Sequence, residues 1–218
     1  MSIAQNLTEI KSQLPAHVTL VAVSKTKPVA DLMEAYNAGQ RIFGENKIQE
    51  MTDKWEVMPK DIEWHMIGHV QTNKVKFMAP YVNLIHGVDS LKLLQEINKQ
   101  AAKNNRVIDC LLQVYIAEEE SKFGLDEQEL EEILKLVQND KENYKNTRIV
   151  GLMGMATFTE NKNQIEKEFK HLKTIFDKFT IHNSQFTILS MGMSGDYQLA
   201  ISCGSTMVRI GSSIFGSR

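Results

Sequence analysis

The sequence predicts a closed parallel β/α barrel, a (β/α)₈ fold, preceded by one extra helix. Short apolar runs recur along the 218 residues and alternate with amphipathic helical patterns. This alternation implies parallel strands that are joined by right-handed crossovers. Eight such units in a chain of this size favour a closed barrel over the competing fold, an open doubly wound sheet. With no repeat or linker-like tract in between, we expect one domain over residues 1–218.

The predicted strands are short runs rich in Val, Ile, Leu and Met. In chain order they are residues 18–24, 41–43, 62–68, 83–88, 107–115, 148–154, 187–192 and 207–211. In both candidate folds the functional groups collect at the carboxyl ends of the strands. We therefore search for a site in the segments that follow these runs.

The helices between the strands are predicted from apolar residues that recur three and four positions apart. One begins near Pro28 and stops at Gly39. Further stripes cover residues 91–101, 130–137 and 165–179, and Asp126 and Glu129 have the spacing of a capping box. The polar, amphipathic segment before the first strand is expected to form a helix over the sector left open after the eighth strand.

Composition excludes several classes of protein. Lys plus Arg number 25 and Asp plus Glu 27, so there is no basic excess of the kind that nucleic-acid binders show. No apolar run approaches the roughly 20 residues of a membrane span, and the first residues lack the apolar core of a signal peptide. The two cysteines, Cys110 and Cys203, suggest neither a disulfide framework nor a zinc site. We expect a cytoplasmic protein with no nucleic-acid or membrane partner.

Lys25 is the first candidate for chemistry. The two-residue period of a strand puts it on the same face as Val21 and Val23, so it reaches the barrel mouth if those valines fill the interior. Desolvation and the nearby cation of Lys27 would lower its pKa and favour a Schiff-base role. A solvated lysine where a strand enters a loop is the alternative.

The segments after the seventh and eighth strands predict an anion site. Residues 190–196 pass from a strand into a helix that is expected to start near Ser194, and a helix start offers free N–H groups. Gly211 and Ser212 follow the eighth strand, and barrels commonly bind phosphate after these two strands. Alternatively, Ser194 caps its helix and Gly211 makes a turn. Arg209 can donate hydrogen bonds but cannot accept them.

Polar residues after the other strands support weaker predictions. Glu45 and Asn46 would cap a helix, or Asn46 would face a ligand. His65 and His69 are expected to pack or hydrogen bond at the mouth rather than to bind zinc, because their segment reads as strand and turn. His86, within a strand, is expected to be a hydrogen-bonded core histidine. The methionines at positions 153, 155, 191 and 193 are interpreted as barrel packing.

Several segments together resemble a known family, the pyridoxal-phosphate homeostasis proteins, which are single-domain relatives of the alanine racemase barrel. The matching segments are VAVSKTKP (21–28), FGENKIQE (43–50), WHMIGHVQTNK (64–74), GLMGMATFTE (151–160) and MGMSGDYQLAISCGSTMVRIGSSIFG (191–216). They extend over nearly the whole chain. The resemblance implies the (β/α)₈ barrel of the alanine racemase N-terminal domain, with pyridoxal 5′-phosphate (PLP) bound at its mouth.

The resemblance also implies roles for individual residues. Lys25 matches the lysine that forms a Schiff base with PLP, and Arg209 matches the arginine that faces the pyridine nitrogen. Asn46 is expected beside the cofactor, and Lys122 matches a lysine associated with cofactor movement. The positions that match the phosphate-binding residues are Ser194, Gly211 and Ser212. Ser212 stands where threonine is usual and keeps the hydroxyl, and Gly195 stands where a polar residue is frequent.

These roles suggest cofactor handling rather than catalysis. The PLP ring acts as an electron sink, and an arginine that keeps its own proton at the ring nitrogen weakens that sink. Barrel racemases take a second base from a separate domain of a partner chain, and only residues 210–218 follow Arg209 here. We expect a monomer that binds PLP reversibly, buffers it or delivers it to apo-enzymes, and thereby influences amino-acid and keto-acid balance.

Two enzymatic alternatives stay open on sequence grounds. The first is a slow PLP-dependent amino-acid racemase in which His65 or Lys122 acts as the second base. The second is a Schiff-base aldolase acting on sugar phosphates, which would use the same lysine for the Schiff base and the same anion site for the phosphate.

Overall fold

A computed structural model of the chain describes residues 2–118, 123–181 and 184–216. The strands are β1 Thr19–Val23, β2 Ile42–Glu45, β3 Glu63–Met66, β4 Leu84–Val88, β5 Ile108–Gln113, β6 Thr147–Met153, β7 Ile188–Met193 and β8 Met207–Ile210. The helices are α1 Ile3–Gln13, α2 Val29–Asn37, α3 Ile48–Val57, α4 Val75–Met78, α5 Leu91–Lys103, α6 Glu127–Asn139, α7 Lys162–Thr180, α8 Tyr197–Ser202 and α9 Ser212–Phe215. A 3₁₀ turn, Thr72–Lys74, precedes α4.

The strands form one closed barrel in chain order. Each pairs in parallel with its sequence neighbours, and β1 pairs with β8 to complete the ring, with Val21 opposite Arg209. The predicted (β/α)₈ barrel is therefore confirmed, and the open doubly wound sheet is wrong. All eight predicted strand segments correspond to observed strands.

Helix α1 covers the barrel next to the closing strand, as expected. The side-chain amide of Asn6 donates to the carbonyl of Ile214 in α9 at 3.0 Å. The hydroxyl of Tyr197 in α8 donates to Gln13 at 2.7 Å. The extra helix thus fills the sector beside α8 and α9.

The apolar core consists of two clusters, one inside the barrel and one between the sheet and the surrounding helices. The inner cluster contains Val21, Leu111 and Met153, and the much larger outer cluster packs the helices on the sheet. Side chains alternate between the two faces because successive strand residues point in opposite directions. In β3, for example, Trp64 belongs to the outer cluster.

The capping box predicted for the third stripe is present at the start of α6. The side chain of Asp126 accepts from the N–H of Glu129, and the side chain of Glu129 accepts from the N–H of Asp126. None of the helices in the described part of the chain is both long and apolar enough to cross a membrane.

The helix expected to start near Ser194 begins later. Helix α8 starts at Tyr197, with Asp196 at its N-cap position. Before it, the carboxylate of Asp196 accepts from the N–H of Met193 at 2.5 Å and closes a turn over residues 193–196. Ser194 therefore lies inside a turn rather than at a helix start.

Candidate functional site

A cavity of about 470 Å³ lies at the carboxyl ends of the strands. All six residues predicted for the site line it, although they come from four different strand ends. They are Lys25, Asn46, Ser194, Arg209, Gly211 and Ser212. The volume falls within the range of about 300–1,000 Å³ that is typical of small-molecule sites.

The lining of this cavity is net positive. Lys25, Lys27 and Arg209 are its cationic members among the described residues, and Asp196 is its acidic one. Burial raises the pKa of Asp196, while its hydrogen bond from Met193 and the nearby Arg209 oppose that shift. This balance of charge favours an anionic ligand.

The turns after β7 and β8 are joined to each other. The hydroxyl of Ser194 accepts a hydrogen bond from the N–H of Gly211 at 3.2 Å. The alternative in which Ser194 caps its helix is therefore wrong, since its oxygen serves the other turn. Gly211 lies tightly against β1, where an added Cβ would come within 3.1 Å of the carbonyl oxygen of Val23. Ser212 is exposed beside it.

The two lysines after β1 both reach the cavity. Val21 belongs to the inner cluster and Val23 lines the cavity, so the predicted alternation that brings Lys25 to the mouth is confirmed. Lys25 is half-buried. The ammonium of Lys27 donates to the carbonyl of Phe215 at 2.9 Å, which ties this segment to the end of the chain.

Arg209 is held rigidly inside the barrel. Nη1 donates to the hydroxyl of Ser190 at 2.6 Å and to its carbonyl at 2.9 Å, and Nη2 donates to the carbonyl of Gly154 at 3.1 Å. A guanidinium has five N–H donors, so two more have no protein acceptor among the described residues. Burial lowers the pKa of Arg209 to about 10, which still leaves it charged at neutral pH.

A hydrogen-bonded chain, the histidine relay, extends from Arg209 across the interior through Ser190, His86 and His65. His86 Nδ1 lies 3.2 Å from the Ser190 hydroxyl, and His86 Nε2 lies 3.0 Å from His65 Nδ1. Arg209 only donates, so the Ser190 hydroxyl accepts from it and donates its own proton to His86 Nδ1. His86 then carries its proton on Nε2 and donates to His65 Nδ1.

The relay corrects one prediction and confirms another. His65 is 3 % exposed and lies inside the barrel rather than at its mouth. Burial lowers its pKa to about 3, and burial also places the pKa of His86 well below the usual value, so both rings are neutral. His86 is the hydrogen-bonded core histidine that was expected. His69 is exposed and pairs with Asp89 at 3.1 Å.

The neighbours of Asn46 show how sequence reasoning failed at this strand end. Asn46 lines the cavity, but Glu45 does not cap a helix. The N-cap residue of α3 is Lys47, and Glu45 is fully buried at the end of β2. Met153 and Met191 are buried and Met155 packs against the inner cluster, as the barrel-packing interpretation expects, while Met155 and Met193 also line the cavity.

Sequence reasoning also missed part of the lining. Thr157 and Thr159 add hydroxyl groups from the loop after β6, and Asp196 adds the acidic group. Their signal was available in the position of these polar residues just after a predicted strand. Lys122, which the resemblance associates with cofactor movement, lies outside the described residues.

A second cavity of about 580 Å³ lies at the other end of the barrel, between α6 and α7. It contains none of the predicted site residues, and barrel sites lie at the carboxyl ends of the strands, so we assign no chemistry to it. In residues 2–118, 123–181 and 184–216, no group of three His, Cys, Asp or Glu side chains could hold a metal ion.

Comparison with known proteins relates this geometry to a family. The family model of the alanine racemase N-terminal domain matches residues 1–218. A pyridoxal phosphate homeostasis protein of Aquifex aeolicus is 39% identical over 201 residues, which are 91% of this chain and 86% of that protein.

Solved structures agree with this relationship. The structure of PipY from Synechococcus elongatus without PLP is 35% identical, with a TM-score of 0.91, over 99% of this chain and all of that one. The structure of PipY with PLP bound is 33% identical, with a TM-score of 0.86, over the same shares. The chain therefore belongs to the alanine racemase N-terminal domain family and, within it, to the pyridoxal phosphate homeostasis proteins.

Proposed function

We propose that this protein binds PLP through a Schiff base at Lys25 and takes part in PLP homeostasis by holding the cofactor and releasing it. One observation carries this proposal: a lysine amine, a buried guanidinium and two joined turns rich in donors line the same cavity. The PLP-bound structure of PipY supports it, because that relative has the same fold over almost the whole chain.

The lining fits such a ligand in charge, donors and shape. Its net positive character suits a phosphate ester, and the hydroxyls of Ser194 and Ser212 can donate to phosphate oxygens. Ile67, Met155 and Met193 provide apolar walls for a flat ring. The acidic Asp196 is engaged with the N–H of Met193, which limits its repulsion of an anion.

Each group has a separate task. Lys25 provides the amine that condenses with the aldehyde, and Ser194, Gly211 and Ser212 hold the phosphate. When bound, PLP supplies an electron-accepting ring. Arg209 directs N–H donors to the ring nitrogen and keeps its own proton, because three protein acceptors hold it as a cation. Asn46 lies beside the cofactor.

The structure of the histidine relay favours cofactor handling over racemisation. Racemisation needs a second base that reaches the substrate, and His65 was one candidate. His65 is buried inside the barrel, its Nδ1 accepts from His86, and its pKa is about 3. It is therefore neither placed nor tuned to remove a proton at neutral pH. We further propose that the protein acts in the cytoplasm as a monomer and delivers PLP to apo-enzymes.

Absorption spectroscopy tests the proposal directly. Apo-protein titrated with PLP should develop the visible band of a pyridoxal Schiff base, and borohydride should then fix the cofactor mass on the peptide that contains Lys25. Lys25→Ala should abolish both signals, whereas Lys103→Ala, at an exposed lysine on α5, should keep them. A band that survives in Lys25→Ala would contradict the proposal.

The alternatives predict different results in the same preparation. A racemase would incorporate deuterium at Cα of alanine at an enzyme-like rate. An aldolase would be trapped by borohydride on a ketose phosphate rather than on PLP. Reactivation of an apo-enzyme by the PLP-loaded protein, faster than by the same concentration of free PLP, would support direct delivery.

A further inference from the structure

A buried cluster of charges, here called the Lys54 cluster, lies behind the end of β1. It consists of Lys54, Glu45, Glu50 and the backbone of Ser24. The ammonium of Lys54 lies 2.9 Å from the carbonyl of Ser24, 2.7 Å from Glu45 Oε1 and 2.7 Å from Glu50 Oε1. An ammonium has three donors, so each is matched to one acceptor. Lys54 is 5% exposed and Glu45 is fully buried.

The cluster accepts hydrogen bonds from the residues on both sides of Lys25. Before it, the hydroxyl of Ser24 donates to Glu45 Oε1 at 2.6 Å. After it, the N–H of Thr26 donates to Glu50 Oε1 at 2.6 Å. The residues that flank the reactive lysine are thus both fixed to the same set of charges.

The backbone at Thr26 requires such support. Thr26 has a φ of 64°, in the left-handed region that β-branched residues rarely adopt. A conformation of this kind persists only where surrounding contacts impose it. The hydrogen bond from Thr26 to Glu50 is a contact of this kind, and it sits directly beside Lys25.

Stability alone is a poor explanation for the cluster. Buried ion pairs usually stabilise a protein no more than well-packed apolar residues do. Glu45 Oε2 is also buried and has no hydrogen-bond partner among the described residues, so the arrangement includes an uncompensated polar atom. A requirement to position the neighbouring backbone explains why charges occupy this place.

We propose that Lys54, Glu45 and Glu50 are positioning residues that direct the Lys25 amine into the cavity. This inference rests on the proposed Schiff-base role of Lys25. It predicts that damage to the cluster weakens the bond-forming part of PLP binding and leaves the phosphate-binding turns, which come from β7 and β8, intact.

A pair of ligands separates these two contributions. PLP has an aldehyde for Lys25, whereas 4′-deoxypyridoxine 5′-phosphate has the same ring and phosphate but no aldehyde. Glu50→Ala should weaken affinity for PLP by about tenfold, as expected when a charge-assisted hydrogen bond is lost. Its affinity for the deoxy analogue should stay within about twofold of the wild type. Glu56→Ala, at an exposed glutamate of the same helix, should change neither.

A rescue variant tests the role of the backbone. Glycine adopts a φ of 64° without steric cost. Thr26→Gly in the Glu50→Ala background should therefore recover part of the lost PLP affinity, while the melting temperature of the apo-protein reports overall stability separately. Lys54→Met should weaken PLP binding in the same selective way, and Glu50→Ala decides the test if Lys54→Met does not fold.

The outcomes are distinguishable. Equal loss of affinity for both ligands in Glu50→Ala, or no loss for either, would overturn the positioning role. A wild-type protein that forms no visible band with PLP, or that borohydride does not label at Lys25, would instead overturn the proposed function. Selective loss for PLP alone, with partial rescue by Thr26→Gly, is the expected result.

Discussion

Ser190→Ala is the sharpest test of the histidine relay. The hydroxyl of Ser190 is completely buried and serves two partners, since it accepts from Arg209 at 2.6 Å and donates to His86 at 3.2 Å. Its removal eliminates a hydrogen bond to a charged group, worth about 1.5–3 kcal/mol, and leaves His86 Nδ1 buried without a donor, at about 1–3 kcal/mol. We expect a loss of about 4 kcal/mol in the free energy of unfolding.

A second buried serine provides the matched control. The hydroxyl of Ser205 is 2.7 Å from the carbonyl of Met191, and within the described part of the chain its hydrogen-bond contacts are all with main-chain oxygens. Ser205→Ala should cost about 1 kcal/mol, the value of a typical neutral hydrogen bond. For a chain of this length, the two losses correspond to falls of about 12 °C and about 3 °C in melting temperature.

Denaturant and thermal unfolding of the two variants, at pH 7 and without ligand, measure this difference. Nitrogen NMR of the wild type should show His86 and His65 neutral and protonated on Nε2. If Ser190→Ala destabilises the protein no more than Ser205→Ala does, the connected relay is wrong.

Burial and backbone geometry support three further predictions. The folded protein holds His65 at a pKa of about 3 against an ordinary 6.5, so the contribution of the neutral ring to stability is present above pH 6.5 and is lost as the pH falls towards 3. In His65→Gln, the free energy of unfolding should therefore fall less steeply with decreasing pH over this range, by up to about 1.4 kcal/mol per pH unit. Gly151→Ala should prevent stable folding, because the new Cβ would lie 1.8 Å from a carbonyl oxygen of β7. Gly39 has φ +88°, and no atom of the described residues lies within 4 Å of an added Cβ, so Gly39→Ala should lower the unfolding free energy by only about 1–2 kcal/mol. Circular dichroism melts would compare the two variants. Lys54→Met should lower the unfolding free energy by about 3–5 kcal/mol, but Arg148→Ala, at an exposed pair with a 2.7 Å contact, by less than about 1 kcal/mol in urea titrations.

Features that depend on local periodicity were predictable from the sequence. The strand runs are apolar and short, and each corresponds to an observed strand. Lys25 follows two valines by the strand period, so its arrival at the mouth could be predicted from that period alone. The capping box of α6 is encoded by two residues three positions apart, which interact through the first turn of their own helix.

Features that depend on long-range contacts were not predictable in the same way. Lys54 lies on an amphipathic helix, where a lysine is normally solvated, and its burial depends on Ser24, thirty positions away in the chain. His65 was predicted at the barrel mouth because it precedes a turn in the sequence. Its ring instead faces the interior and is hydrogen bonded to His86 of the next strand. The start of α8 was misjudged because the side chain of Asp196 closes a turn first.

The seam between β1 and β8 has a consequence for the chain as a whole. These strands are the first and last of the barrel, and parallel pairing such as Val21 with Arg209 is what holds them together. Lys25 follows one of them, and Arg209 and Gly211 belong to the segment of the other. A small molecule that contacts groups from both strands would therefore oppose their separation, and its binding should slow the exchange of amide hydrogens along this seam.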